Sequence, residues 1–228
     1  VNDILPQFVT FTGVDRFTDL KRARELQEKY PIEWALLYSP TRTDNRYATP
    51  ELIEEASRGV THFAVHLCGA AAKWALEWDT KRDSFIYRLT MHADRVQINA
   101  RETDYRDTGL LRFCDRRPTI RQVRGKKFPS KVDEILFYLY DRSGGRGTTP
   151  NEWPEPPAGI FLEHTLGDQV GYAGGFGPGK VRPFIETFMN RFPTANYWID
   201  METNVRDEDD RFDLDKCQRV CEEIWGVR

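Results

Sequence analysis

Eight short runs rich in β-branched and aromatic residues recur along this chain, and most are separated by segments of helical character. The runs are Phe8–Thr12, Glu33–Tyr38, His62–Leu67, Arg95–Asn99, Thr119–Val123, Ile135–Tyr140, a stretch ending at Tyr172-Ala173, and Tyr197–Met201. Each reads as a strand. Glu33–Tyr38 is apolar almost throughout, the pattern of a strand covered on both faces. Between them, Thr18-Asp19 starts a helix from Leu20 to Tyr30 that Pro31 stops, and Thr49-Pro50-Glu51 opens another with a cap and a first-turn proline. Gly69–Leu76 reads as helix, Pro178 opens one running to about Phe192, and Asp213 or Asp215 caps a last one ending near Trp225.

Alternating strands and helices with short connections imply a parallel sheet. Eight units in 228 residues imply a closed (β/α)8 barrel, one domain over 1–228, with its active site at the C-terminal strand ends. An open doubly wound sheet is the alternative. The connections around strands five to seven are irregular. Lys126–Glu134 is too short for a full helix, and Asn151–Ala158 is proline-rich and reads as a long loop.

Composition narrows the function. The chain is 39% hydrophobic and 30% charged, so it is globular, and its formal net charge of -3 gives no footprint for nucleic acid. The arginines between Arg101 and Arg124 are interleaved with acids at first and read as a solvated face. None of the four cysteines forms a CxxC pair. Cys217 and Cys221 lie four apart beside Leu214, Val220 and Ile224, a buried thiol stripe. The expected context is reducing and cytoplasmic, with no membrane span, no signal peptide, no metal and no organic cofactor. The chain starts at Val1, which leaves a preceding leader open.

The barrel reading nominates the residues at strand ends: Thr12, Tyr38, His66 and Cys68, Gln97 and Asn99, Asp141, Gly174 and Gly175, Asp200 and Glu202. Asp141 directly follows six apolar residues, so it either caps a turn onto Ser143 or Gly144 or faces a cavity. Gly174-Gly175 ahead of Gly177-Pro178 is a candidate anion cradle, because glycines let a ligand approach the backbone and a helix start favours negative charge. His66 and Cys68 share strand parity and read first as packed interior residues. Arg206-Asp207-Glu208-Asp209-Asp210 reads as a solvated loop without the glycine of a calcium site.

In order and spacing these motifs resemble the phosphoribosylanthranilate isomerase family, the tryptophan-pathway barrel. Phe11-Thr12-Gly13 stands where that family has Ile-Cys-Gly. Asn45-Arg46-Tyr47 with Pro50-Glu51, Val96-Gln97-Ile98-Asn99, Leu139-Tyr140-Asp141 with Gly144-Gly145-Arg146-Gly147 and Trp153, Ala173-Gly174-Gly175-Phe176 with Pro178 and Val181, and Ile199-Asp200 resemble its further motifs. The resemblance implies an aldose–ketose (Amadori-type) isomerisation of a small phosphorylated sugar-type substrate. It assigns the acid to Asp141 and the substrate-carboxylate clamp to Arg46. Gln97, Asn99, Gly144, Gly145, Gly174, Gly175, Asp200 and Glu202 fall at its substrate-binding positions.

Three departures alter the picture. Thr12 replaces the family's catalytic cysteine, and a threonine hydroxyl has no accessible anion near neutrality. Asn99 replaces a histidine, and Glu202-Thr203-Asn204 replaces Ser-Ser-Gly where the family holds phosphate. Changed chemistry, with Cys68, His66 or Glu202 supplying a base, is one reading. A second is the family's own isomerisation, working slowly without the cysteine through acid catalysis and positioning. A third is an inactive barrel that binds a ligand or partner, with Trp153-Pro154-Glu155-Pro156-Pro157 as an exposed aromatic loop. The expected partner is a small anionic molecule, with a homodimer possible and neither nucleic acid nor membrane involved.

Overall fold

The computed structural model describes residues 5–77, 80–100, 110, 113, 118–129, 136–144, 146–157 and 170–227. Eight parallel strands close into a barrel in sequence order: β1 Val9–Thr12, β2 Ile32–Tyr38, β3 Phe63–Cys68, β4 Arg95–Asn99, β5 Thr119–Val123, β6 Leu136–Tyr140, β7 Val170–Ala173 and β8 Trp198–Met201. Closure comes from β1 pairing with β8, Val9 opposite Ile199 and Phe11 opposite Met201. The open doubly wound alternative is thereby excluded.

The helices cover the outside. They are α1 Leu20–Lys29, α2 Pro50–Gly59, α3 Ala70–Glu77, α4 Thr80–Thr90, α5 Val181–Arg191 and α6 Leu214–Trp225. Local chemistry sets their starts. Asp19 accepts the N–H groups of Lys21 and Arg22, Thr49 accepts that of Leu52, and Asp213 accepts those of Asp215 and Lys216. Helix α5 begins three residues later than Pro178 suggests, because Gly179 has φ of +74° and turns the chain first. Helix α4 has no counterpart in the sequence reading, which assigns no element between Leu76 and Arg95. No helix is present among the described residues from 124 to 129 or 141 to 157, as the irregular connections predict. No described helix is long and apolar enough to cross a membrane.

Two cores hold the barrel. Outward-facing strand residues such as Phe11, Trp34, Val65 and Ile98 pack under the helices in one large cluster, which also takes in Cys217 and Cys221. The interior is divided. Its β5–β8 side is apolar, with Ile120, Phe137, Leu139, Ala173 and Trp198 in contact. Gly171 makes room for this packing, since a Cβ there would lie 2.2 Å from Trp198 Cε2. Gly171→Ala is therefore expected to cost about 3 kcal/mol or more through overpacking, read as a lower denaturant midpoint.

The β1–β4 side of the interior is polar. Glu33 and Arg95 form a two-pronged ion pair, with Arg95 Nε 2.9 Å from Glu33 Oε2 and Nη2 2.7 Å from Oε1. Thr10 donates to the same carboxylate at 2.9 Å. The guanidinium lies over Trp198, Phe8 and Phe137 at 4.3, 4.7 and 5.2 Å from the ring centroids. Burial pushes the Glu33 carboxyl up, but Arg95 outweighs it and holds the group below its usual range.

Candidate active site

A cavity of about 400 Å³ opens at the C-terminal ends of the strands. Strand parity builds it. Thr12 from β1, His66 and Cys68 from β3, Gln97 and Asn99 from β4, Asp141 after β6 and Asp200 from β8 all line it, with Glu202 just beyond. Arg46, Gly144, Gly174 and Gly175 line it as well. Gly145 falls outside the described residues. Sequence reasoning missed Gln122, Arg124 and Ser143, which also face the cavity. The signal was available: Ile120 and Gln122 alternate along β5 and Arg124 follows directly in the same parity, so polar residues at its end share the inward face.

Asp141 both caps a turn and faces the cavity. Its Oδ1 accepts the N–H of Ser143 at 3.0 Å, the Ser143 hydroxyl at 2.7 Å and the N–H of Gly144 at 3.1 Å. Its Oδ2 accepts Gln122 Nε2 at 2.8 Å, and Gln122 Oε1 accepts Arg124 Nε at 2.9 Å. This carboxyl is built as a hydrogen-bond acceptor.

Asp200 is different. It is 6% exposed, and its only side-chain donor among the described residues is Thr12 Oγ1, 3.2 Å from both oxygens. Burial, then the neighbouring Asp141 and Glu202 carboxyls, push it well above the ordinary carboxylate range. Burial raises Glu202 too, opposed by Arg46, whose Nη1 lies 3.1 Å from Glu202 Oε1. The β8 end thus carries two like carboxyls, one beside a hydroxyl and one beside a guanidinium.

Arg46 is already engaged by the protein's own acids. Its Nε and Nη2 grip Asp210 in a fork at 2.9 Å each, and Nη1 holds Glu202. The Arg206–Asp210 segment is accordingly no simple solvated loop. Arg206 is buried, paired with Asp15 at 2.8 Å, and donates to the Gly13 carbonyl at 2.7 Å and to Asp210 at 3.0 Å. Only its middle residues, Asp207 to Asp209, are exposed. A charge run reads as solvated because the acid that buries Arg206 comes from the far end of the chain.

The glycine loop is also engaged. A Cβ on Gly175 would meet Thr149 Oγ1 at 2.5 Å and the Gly147 carbonyl at 2.8 Å, so the loop after β6 lies directly on it. Asn204 Nδ2 donates to the Gly175 carbonyl at 2.8 Å. Glu223 takes the N–H of Gly179, at 2.7 and 3.0 Å to its two oxygens. Trp153, expected to be exposed, is half-buried and stacks on Phe176 with centroids 5.1 Å apart, beside Phe184 at 4.7 Å. Aromatic packing outweighs the polar, proline-rich character of that loop.

Two candidate bases differ. Burial pushes the Cys68 thiol up to about 11, so it stays protonated near neutrality, and its sulfur accepts Asn99 Nδ2 at 3.1 Å. His66 is 1% exposed, and burial lowers it from 6.5 to about 4. An unfolded chain protonates His66 near pH 6.5 and the folded one only near 4, so this residue makes stability fall with acid between those values. The loss is about 3 kcal/mol, and His66→Gln is expected to remove it, read from urea midpoints at pH 7 and 4.5. Asp200 gives the opposite slope above its ordinary 3.8, so the comparison is made with Asp200 intact in both proteins. Among the described residues no group of three or more His, Cys, Asp or Glu side chains is placed to hold a metal.

No family model matches the chain, and no curated protein sequence does. Solved structures do. A phosphoribosyl anthranilate isomerase in complex with reduced 1-(o-carboxyphenylamino)-1-deoxyribulose 5-phosphate aligns over 98% of this chain and 100% of its own, with a TM-score of 0.62 and 14% identity. The phosphoribosyl anthranilate isomerase of Thermotoga maritima aligns over the same shares with a TM-score of 0.62 and 15% identity. The fold is phosphoribosylanthranilate isomerase-like. The enzyme of Thermus thermophilus adds a third case, with a TM-score of 0.59 and 15% identity over 96% of this chain and 99% of its own. At such identities the likeness is one of backbone architecture.

Proposed function

We propose that the barrel mouth isomerises a small sugar-type substrate by acid–base catalysis, with Asp200 as the acid and Glu202 as the base. The observation that carries this is the carboxyl pair at the end of β8, two groups raised chiefly by burial, with the Glu202 charge adding to the rise at Asp200 and the Asp141 charge to both. Two such groups do not both ionise cheaply, and unequal surroundings separate their roles. Asp200, beside a hydroxyl, keeps the proton. Glu202, beside Arg46, carries the charge. An aldose–ketose change needs a proton delivered to the ring oxygen and another taken from C2. Asp200 supplies the first and Glu202 removes the second, so the Thr12 hydroxyl positions the acid where the family has its base. Asp141, whose oxygens face donors, holds Gln122 and Arg124 in place.

The test is turnover of phosphoribosylanthranilate, followed by loss of its fluorescence, together with a panel of free and 5-phosphorylated aldoses. Asp200→Asn and Glu202→Gln are expected each to lose about 100-fold or more in kcat, and Asp141→Asn less. Full turnover by Asp200→Asn ends the reading. A second reading, a barrel that binds without turnover, is favoured by one feature: Arg46 and the Gly179 N–H already hold Asp210 and Glu223. Binding of an aldose by a wild-type protein that turns over none of the panel would select it.

A further inference from the structure

Two buried polar atoms face the same cavity without partners: Nε2 of His66 and Oε1 of Gln97. Both side chains are more than nine-tenths buried. They stand side by side, because His66 on β3 and Gln97 on β4 are register partners, about 5 Å apart between strands. The rest of the Gln97 amide is fixed. Gln97 Nε2 donates to Asn99 Oδ1 at 2.7 Å, which orients its carbonyl oxygen, and Asn99 in turn donates to Cys68. Beneath them the Glu33–Arg95 pair closes the barrel. Leaving such atoms unmatched is costly, so a group that meets both gains the cost back on binding.

We propose that His66 and Gln97 form a subsite for a neutral hydroxyl, so that the deep end of the pocket takes the uncharged, hydroxylated carbon chain of the substrate. A hydroxyl fits both atoms. It gives its proton to Gln97 Oε1 and accepts from His66 Nε2–H. A carboxylate, sulfate or phosphate monoester dianion oxygen does not fit, because it has no proton for the Gln97 oxygen. Burial keeps the imidazole uncharged near neutral pH, which agrees. The idea rests on the pocket being the substrate site proposed above and adds which part of the substrate enters first.

The test reads His66 directly, through the imidazole nitrogen resonances of the four histidines in 15N-labelled protein. D-Ribose, D-xylose, D-glucose and ribitol are titrated into wild type, Asp200→Asn and Gln97→Met, with inorganic sulfate as a separate arm. At least one polyol is expected to shift His66 Nε2 in wild type and in Asp200→Asn, with affinity about ten-fold weaker in Gln97→Met, the worth of one hydrogen bond. Inorganic sulfate is expected to leave that resonance unmoved. The subsite is overturned if no polyol shifts His66, if sulfate alone shifts it equally, or if Gln97→Met binds as tightly as wild type. A shift in a protein without turnover keeps the subsite and removes the catalytic reading, whereas turnover without a shift does the reverse.

Discussion

Asp15→Ala is expected to lower the stability of the protein by about 3–5 kcal/mol, the cost of leaving a buried charge without its partner. Asp15 and Arg206 are each 1% exposed and lie 2.8 Å apart. The carboxylate does more than balance the guanidinium. Its Oδ1 accepts the Phe17 N–H and the Thr18 hydroxyl at 3.0 and 3.1 Å, and its Oδ2 accepts the Phe212 N–H at 2.7 Å. One side chain thus ties the loop after β1 to the loop after β8. For a chain of this size the loss corresponds to a melting temperature about 10 °C lower. Arg206→Met in the same background is expected to recover part of it, since both charges then leave the interior together. A loss below about 1 kcal/mol for Asp15→Ala, by urea denaturation, would count against this account.

The same loop connects to the cavity. Arg206 holds Asp210, Asp210 holds Arg46, and Arg46 holds Glu202. Asp210 sits at φ of +57°, a left-handed conformation that aspartate tolerates better than most residues, with both arginines on its carboxylate. A carboxylate from the chain's own loop therefore fills the fork of Arg46, where the family resemblance places a carboxylate of the substrate. A ligand anion would share this guanidinium with Asp210 and Glu202, which take one N–H from each of its three nitrogens.

Those ties were hard to read from the sequence, whereas the barrel was easy. Strands such as β2 are buried at every position, so they stand out as apolar runs, broken in β2 only by Glu33. Parity then places Thr12, His66, Gln97, Asp200 and their neighbours on the inner face with no knowledge of contacts. Helix α4 was missed because its charged start, Lys81-Arg82-Asp83, hides a short stripe in which Ile86, Leu89 and Thr90 are buried. Arg206 and Arg95 were missed for another reason. A buried cation is recognisable only through its partner, and Asp15 lies 191 residues from Arg206 and Glu33 lies 62 from Arg95. The protonation difference between Asp200 and Glu202 is likewise a product of packing.

Asp200→Asn tests that difference most directly. The substitution keeps shape and removes the proton, so kcat is expected to fall by about 10²–10⁴ with KM changed little. Folding stability follows a separate rule that reports the protonation of Asp200 whatever its role. Because the folded pKa of Asp200 lies above its ordinary 3.8, the folded protein keeps a proton that the unfolded chain releases as pH rises past that value. Its contribution is full below 3.8 and is lost as pH climbs toward the folded pKa. Asparagine has no proton to lose, so Asp200→Asn is expected to gain on wild type steadily across that window. Thr12→Val strengthens the argument from the other side. It removes the one hydroxyl that favours the Asp200 anion, so it moves the pKa further up and the alkaline fall in kcat to higher pH. If the two variants leave both profiles where wild type has them, the proton is not on Asp200, and Glu202, whose carboxyl burial also raises, holds it instead.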